Sequence, residues 1–156
     1  MNRHSQYRLR SARQSGVGLI EVMVAVFVLA VGMLGIAAMQ AMALRNSQSS
    51  LERTQAVIQS YSILDAMRAN RDAAMTGGYN RVLPAPGSPC PAPALDGSLA
   101  KADQKLWIDS LQQTIGEGAC GGITCVNAMC EIVVGWNDSR GNQGSSEYEV
   151  RTQGAI

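Results

Sequence analysis

Residues 16–40 read GVGLIEVMVAVFVLAVGMLGIAAMQ, and one letter in that run, Glu21, decides how the rest is taken. From Val22 to Met39 eighteen consecutive residues carry neither a charge nor a polar side chain. At 1.5 Å rise per residue this is about 27 Å of helix, close to the thickness of a hydrocarbon core. Such a segment belongs in a membrane. An ionisable group inside it costs about 2.5–3.5 kcal/mol at the bilayer centre and less near the interface, so it is kept where it finds a partner. Glu21, at the head of the run, is therefore read as a functional residue.

On the amino-terminal side stands a basic stretch ending at Gly16, with Arg3, Arg8, Arg10 and Arg13 and no acid. Residues 17–156 hold nine basic and twelve acidic side chains, a net of −3 beneath the overall +1. The positive-inside rule makes the leader the cytoplasmic end and places the remainder across the membrane. The exported part is mildly acidic and lacks a basic patch, so no nucleic-acid partner is expected.

The order Gly16-Val17-Gly18-Leu19-Ile20-Glu21-Val22, followed by Ala25, Val28, Leu29, Gly32, Leu34, Gly35 and Gln40, resembles the amino terminus of type IV prepilins, and more closely the PilV-type minor pilins. The family usually has Phe at the first mature position and Ser or Thr at the second, where this chain has Val17 and Gly18. The resemblance implies that a prepilin peptidase cuts between Gly16 and Val17 and methylates the new amine of Val17. Glu21 then becomes the fifth mature residue, whose carboxylate pairs with the terminal amine of a neighbouring subunit. It also implies the partners: other minor pilins and the major pilin through the helix, a large tip adhesin, and the inner-membrane assembly platform. The protein would wait in the inner membrane with its head in the periplasm and pass to the pilus on assembly, where minor pilins of this type prime or cap the filament.

Beyond the apolar run the sequence turns polar without a break signal. Leu51, Val57, Ile58, Tyr61 and Leu64 fall within an arc of about 140° at 100° per residue, the stripe expected to lie against a globular head. The helix is expected from Val17 to about Asn70, roughly 80 Å of rod, with Thr76-Gly77-Gly78 as the stop signal. Gly32 and Gly35 interrupt the membrane half, where glycine is tolerated. Pro84, Pro86, Pro89, Pro91 and Pro93 make an extended surface connection. A second helix is expected over Asp96 to Ile115, with Trp107, Ile108, Leu111 and Ile115 on one face. The period then changes from 3.6 to 2, and Ile123–Val126, Met129–Trp136 and Glu147–Thr152 read as three strands. The expected fold is α+β, pilin-like: a long N-terminal α-helix, its first half transmembrane, on a small C-terminal antiparallel sheet. The expected organisation is leader 1–16, membrane half 17–44, amphipathic half 45–75 and head 76–156.

Cys90, Cys120, Cys125 and Cys130 all follow the membrane segment, where an oxidising compartment allows disulfides, and three pairings are formally open. A two-residue turn at Asn127-Ala128 would set Cys125 opposite Cys130, within disulfide reach. That favours Cys125 with Cys130 and, by elimination, Cys90 with Cys120. The C-x4-C-x4-C spacing is not that of a zinc site, and no metal or other cofactor is expected. His4, the only histidine, lies in the leader, so the mature chain has no histidine for acid–base or triad chemistry and is not expected to be an enzyme. Asn137–Gly144 is oxygen-rich, which suits a weak calcium site, but lacks EF-hand spacing and reads as a polar hairpin loop and a candidate subunit contact.

Three rival readings share parts of this pattern. A minor pseudopilin of a type II secretion system has the same leader and helix. A Sec-exported periplasmic or secreted binding module would use Ala41-Met42-Ala43 as its cleavage site, although eighteen apolar residues exceed the usual signal core. An uncleaved single-span protein leaves the order from Gly16 to Glu21 to chance.

Overall fold

The structure, a computed structural model, describes residues 16–141 and 144–156. The basic leader through Ser15, with its four arginines and His4, lies outside the described residues, as do Asn142 and Gln143. The elements are α1 (Leu19–Ala69), α2 (Arg71–Met75), α3 (Leu99–Thr114), β1 (Cys120–Val126), β2 (Met129–Trp136) and β3 (Tyr148–Ala155). This is the α+β arrangement of a type IV pilin-like fold, a long apolar amino-terminal helix with a three-stranded antiparallel sheet of order β1-β2-β3. The chain divides into two compact units, residues 1–40 and 41–156.

In the first unit every side chain from Val17 onward is exposed, including Val24, Phe27, Val31 and Leu34. This part of α1 is long and apolar enough to cross a membrane. An apolar surface of this extent stays out of water only in lipid or against other protein.

In the second unit, the remainder of α1, α3 and the sheet enclose one core. Its members include Ala56, Ile63, Leu64 and Met67 of α1, Trp107, Ile108 and Leu111 of α3, and Ile132, Val134 and Trp136 of β2. In β2 Cys130, Ile132, Val134 and Trp136 share one buried face and Val133 is buried as well, whereas β3 alternates half-buried and exposed positions, the pattern of a strand with one wet face. β1 begins three residues earlier than the sequence suggests, at Cys120, because Gly121 and Gly122 are strand residues. A Cβ at Gly121 would stand 2.1 Å from the Trp107 ring, and one at Gly122 would stand 2.9 Å from Leu83. Glycine there marks close packing on both faces of the strand rather than a break. β3 runs three residues further than expected, through Gly154, where a Cβ would meet Leu64 at 2.4 Å.

α3 starts at Leu99 rather than Asp96. Ser98 is its N-cap, accepting from Lys101 N at 3.3 Å, and Asp96 Oδ1 accepts from the Ser98 amide at 2.9 Å. α1 stops at Ala69, the five-residue α2 follows Asn70, and Thr76-Gly77-Gly78 comes after α2.

The stripe that α1 turns to the core is not the one expected. Of Leu51, Val57, Ile58, Tyr61 and Leu64, only Leu64 is buried. The core instead receives Ser49, Glu52, Ala56, Ser60, Ile63, Leu64 and Met67. Two physical reasons account for the exchange. Ala56 and Ser60 are small enough for the helix backbone to approach the core closely, and the Ser60 hydroxyl is satisfied by Ala56 O at 2.8 Å. Ser49 and Glu52 are buried because partners distant in sequence reach them.

Candidate functional site

Gly16, Val17 and Gly18 are non-helical and exposed, and α1 begins only at Leu19. The Gly18 carbonyl accepts from the amides of Glu21 at 3.0 Å and Val22 at 3.3 Å, so the helix is wound from this residue. The peptide between Gly16 and Val17 therefore lies in open backbone just ahead of the helix. A Cβ at Gly16 would meet nothing within 4 Å. Glu21 occupies the first turn of α1, exposed, where the helix dipole favours an anion. Gly16, Val17 and Glu21 are thus together by sequence proximity and need no tertiary contact to form one segment.

A second polar cluster, which sequence reading missed, holds the loop after β2 to α1. Asp138 is 1% exposed and accepts from Ser49 Oγ at 2.9 Å and from Arg53 Nη2 at 2.8 Å. The hydrogen bond to Asp138 is the main cause that raises the Arg53 pKa, against a smaller lowering by burial. The Arg53 guanidinium carbon also stands 4.3 Å from the centre of the Tyr148 ring, which packs on Trp136 at 5.0 Å. Next to this, Arg140 reaches the buried Glu52 at 3.5 Å. Asp138 was the acid that gave the loop its calcium-like character; its carboxylate is committed to Ser49 and Arg53, and the loop acts as a polar latch on the helix. The partners lie 85 and 89 residues apart, so no local pattern announces them.

The cysteines are joined as Cys90–Cys120 and Cys125–Cys130. Cys125 and Cys130 are cross-strand partners with Cα atoms 4.0 Å apart, one pair out from the Asn127-Ala128 turn. Asn127 takes the left-handed conformation that turn requires, with φ 56°. Cys90–Cys120 ties the proline-rich segment to the start of β1, with Cα atoms 5.6 Å apart. The same segment is held by Arg81, which exchanges backbone hydrogen bonds with Ile123 and donates from its guanidinium to Pro91 O at 2.7 Å and Gly121 O at 3.1 Å. Burial lowers the Arg81 pKa. Between this loop and the ends of β2 and β3 lies a cleft of about 410 Å³, touched by Leu83, Pro86, Gly135, Tyr148 and Glu149.

No curated protein and no solved structure matches the chain. The family model for the prokaryotic N-terminal methylation motif matches residues 11–37, which takes in Gly16, Val17, Glu21 and most of the apolar run. The motif supports a type IV pilin- or pseudopilin-like protein that is processed by prepilin peptidase and anchored by its apolar helix.

Proposed function

We propose that the chain is a minor pilin of a type IV pilus, of the PilV type, which joins other minor pilins to prime or cap the filament and to support display of an adhesin. The observation that carries this reading is the conjunction at the amino terminus. An N-terminal methylation motif spans an exposed Gly16–Val17 bond, a carboxylate in the first turn of α1, and an apolar helix whose side chains are exposed among the described residues.

In this reading residues 1–16 are the leader, 17–44 the membrane and filament-core half of the helix, 45–75 its amphipathic half, and 76–156 the head. Cleavage after Gly16 frees the amine of Val17, which the same peptidase then methylates. When the helix leaves lipid for a bundle of like helices, that amine and the Glu21 carboxylate would each be an uncompensated charge in an apolar surrounding. Leaving one member of a buried pair without its partner costs about 3–5 kcal/mol, so pairing Glu21 of one subunit with the amine of the next fixes axial register. The two disulfides act structurally in this account, holding a small head together after export.

The test is the intact mass and amino-terminal sequence of the protein recovered from its host, from membranes and from sheared surface filaments. A chain starting at N-methylated Val17 and present in the filaments is expected. The same start with no filament-borne protein, together with a secretion defect on deletion, would replace the pilus by a secretion pseudopilus. A start at Leu44 would make the protein a secreted module.

A further inference from the structure

The cleft between the proline-rich loop and the ends of β2 and β3 leaves a donor and an acceptor unanswered. Trp136 is among the residues that line it, only 6% exposed, and its indole Nε1 is enclosed with no hydrogen-bond partner among the described residues. A buried indole N–H ordinarily finds an acceptor, as Trp107 does in Gln59 O at 3.0 Å. Glu147 also lines the cleft, exposed, and its carboxylate has no partner among the described residues. Glu149, two residues on, spends one oxygen on Arg151 at 2.7 Å. Among the described residues that line the cleft, none is a lysine, arginine or histidine. Its walls are largely apolar, with Leu83, Pro84 and Pro86 from the loop and Tyr148 from β3, and Cys90–Cys120 and Arg81 hold the loop in place. Gly135 leaves β2 bare here, since a Cβ would stand 3.5 Å from Leu83 and 3.8 Å from Glu149.

The unmet groups select the ligand. A cation would answer Glu147 and Glu149 but carries no acceptor for the Trp136 N–H. An anion would accept from the indole but would meet two carboxylates and no basic residue in the lining. A hydroxyl group serves both, since its hydrogen donates to a carboxylate and its lone pairs accept from an N–H. An extended peptide offers both groups too, but it would enter along β3, the outer strand of the sheet, where the exposed Glu149 and Arg151 pair with each other and Arg151 reaches Glu131 at 3.6 Å. Charges at a strand edge oppose the pairing that such a peptide needs. We propose that this cleft binds a neutral carbohydrate. A sugar ring lies on the apolar wall of Tyr148 and the prolines, its hydroxyls donate to Glu147 and Glu149, and one of its oxygens accepts from Trp136 Nε1. Because Nε1 is closed to solvent, that last contact requires a side-chain shift in the lining on binding. A volume of about 410 Å³ is that of a small-molecule site. All the lining residues belong to the second unit, so this site is independent of how the amino-terminal part of α1 is used.

The detergent-solubilised full chain, applied to an array of neutral and sialylated glycans, tests it. Retention by neutral glycans is expected, with their sialylated counterparts held at least tenfold more weakly. Titration of a retained neutral glycan should then move the indole N–H resonance of Trp136 in a nitrogen–proton correlation spectrum, the signal that Trp136→Phe removes. Glu147→Ala, at an exposed position with no partner to lose, is expected to weaken that glycan about tenfold with circular dichroism and disulfide content unchanged. Ser88→Arg, also at an exposed position, puts into the cleft the cation that its lining lacks and should abolish binding. Retention of no glycan, retention of sialylated glycans alone, or equal binding by the parent and both variants overturns the site. If spermidine or a pool of extended peptides moves the Trp136 signal and no array glycan does, the cleft serves a cation or a peptide and the proposal is likewise overturned.

Discussion

The two halves of α1 both expose large apolar side chains, and they do so for different reasons. Up to Leu44 the helix has no inside: Val22, Phe27, Leu34 and Met39 are all open, and composition alone says that lipid or other helices must surround it. From Arg45 to Ala69 the helix does have an inside, yet that inside takes Ser49, Glu52, Ala56 and Ser60 along with Ile63, Leu64 and Met67. In the first half hydrophobicity reports environment directly. In the second it does not, since Leu51 and Ile58 stay open to solvent while Ser49 and Ser60 are buried. A residue's apolar character says that it wants burial; it does not say by what.

The largest expected effect separates the halves by phenotype. Glu21→Ala should leave processing and head stability unchanged while cutting assembly by two orders of magnitude or more, since an unpaired buried charge costs about 3–5 kcal/mol. Immunoblots of sheared filaments against membrane fractions read the result. A processed Glu21→Ala protein that assembles and supports piliation normally would remove the pairing role.

Leu64 gives the converse. It is fully buried and lies against Gly154, so Leu64→Ala in the solubilised full chain should cost about 2–5 kcal/mol in chemical denaturation. Leu34→Ala, 72% exposed in the first half, should leave head stability unchanged. Equal losses at both positions would erase the distinction between the halves.

A smaller effect tests the polar interior of the head. Tyr79 is fully buried, its hydroxyl bonds Asp103, and its carbonyl accepts from Gln104 Nε2 at 2.6 Å. Burial first, and the Asp103 hydrogen bond second, push the Tyr79 pKa up from 10.0 to about 12. The folded state thus holds this proton more tightly than the unfolded chain does. The contribution is complete below the unfolded pKa near 10 and is lost as pH rises toward 12, on the order of 3 kcal/mol across that window. Denaturation midpoints of the parent chain should fall relative to those of Tyr79→Phe over that range, and parallel curves would contradict the assignment.

How much of this was legible in the sequence follows the range of the interactions. The membrane half needed only a run of residues and one carboxylate. β2 was readable to the residue because Cys130, Ile132, Val134 and Trp136 recur at every second position of a short apolar run, and the turn at Asn127-Ala128 set its register with β1. β1 and β3 were drawn short because Gly121, Gly122 and Gly154 look like breakers until Trp107, Leu83 and Leu64 are seen occupying the missing side chains' space. The inward face of α1 was misassigned because hydrophobic periodicity assumes one buried side. This helix has small and polar residues on the side that its own core covers and apolar ones on the side left open. Asp138 could not be placed at all, since its partners lie in a helix more than eighty residues away.

That placement supplies the smallest predicted effect. Asp138→Asn preserves the shape and one acceptor oxygen, so a hydrogen bond from Ser49 or Arg53 survives while the charge opposite Arg53 is lost. Arg53 is 39% exposed, and solvent screens its side of the pair, which limits the loss to about 1 kcal/mol. The variant should be less stable than the parent by that amount, and the difference should shrink at high salt because the lost component is Coulombic. Asp138→Ala, which also strips Ser49 of its partner, should cost about 1–3 kcal/mol. If Asn and Ala at position 138 prove equally mild, the buried carboxylate does not hold the loop to α1. The polar residues on the helix's inner face would then owe their burial to close packing against the core alone.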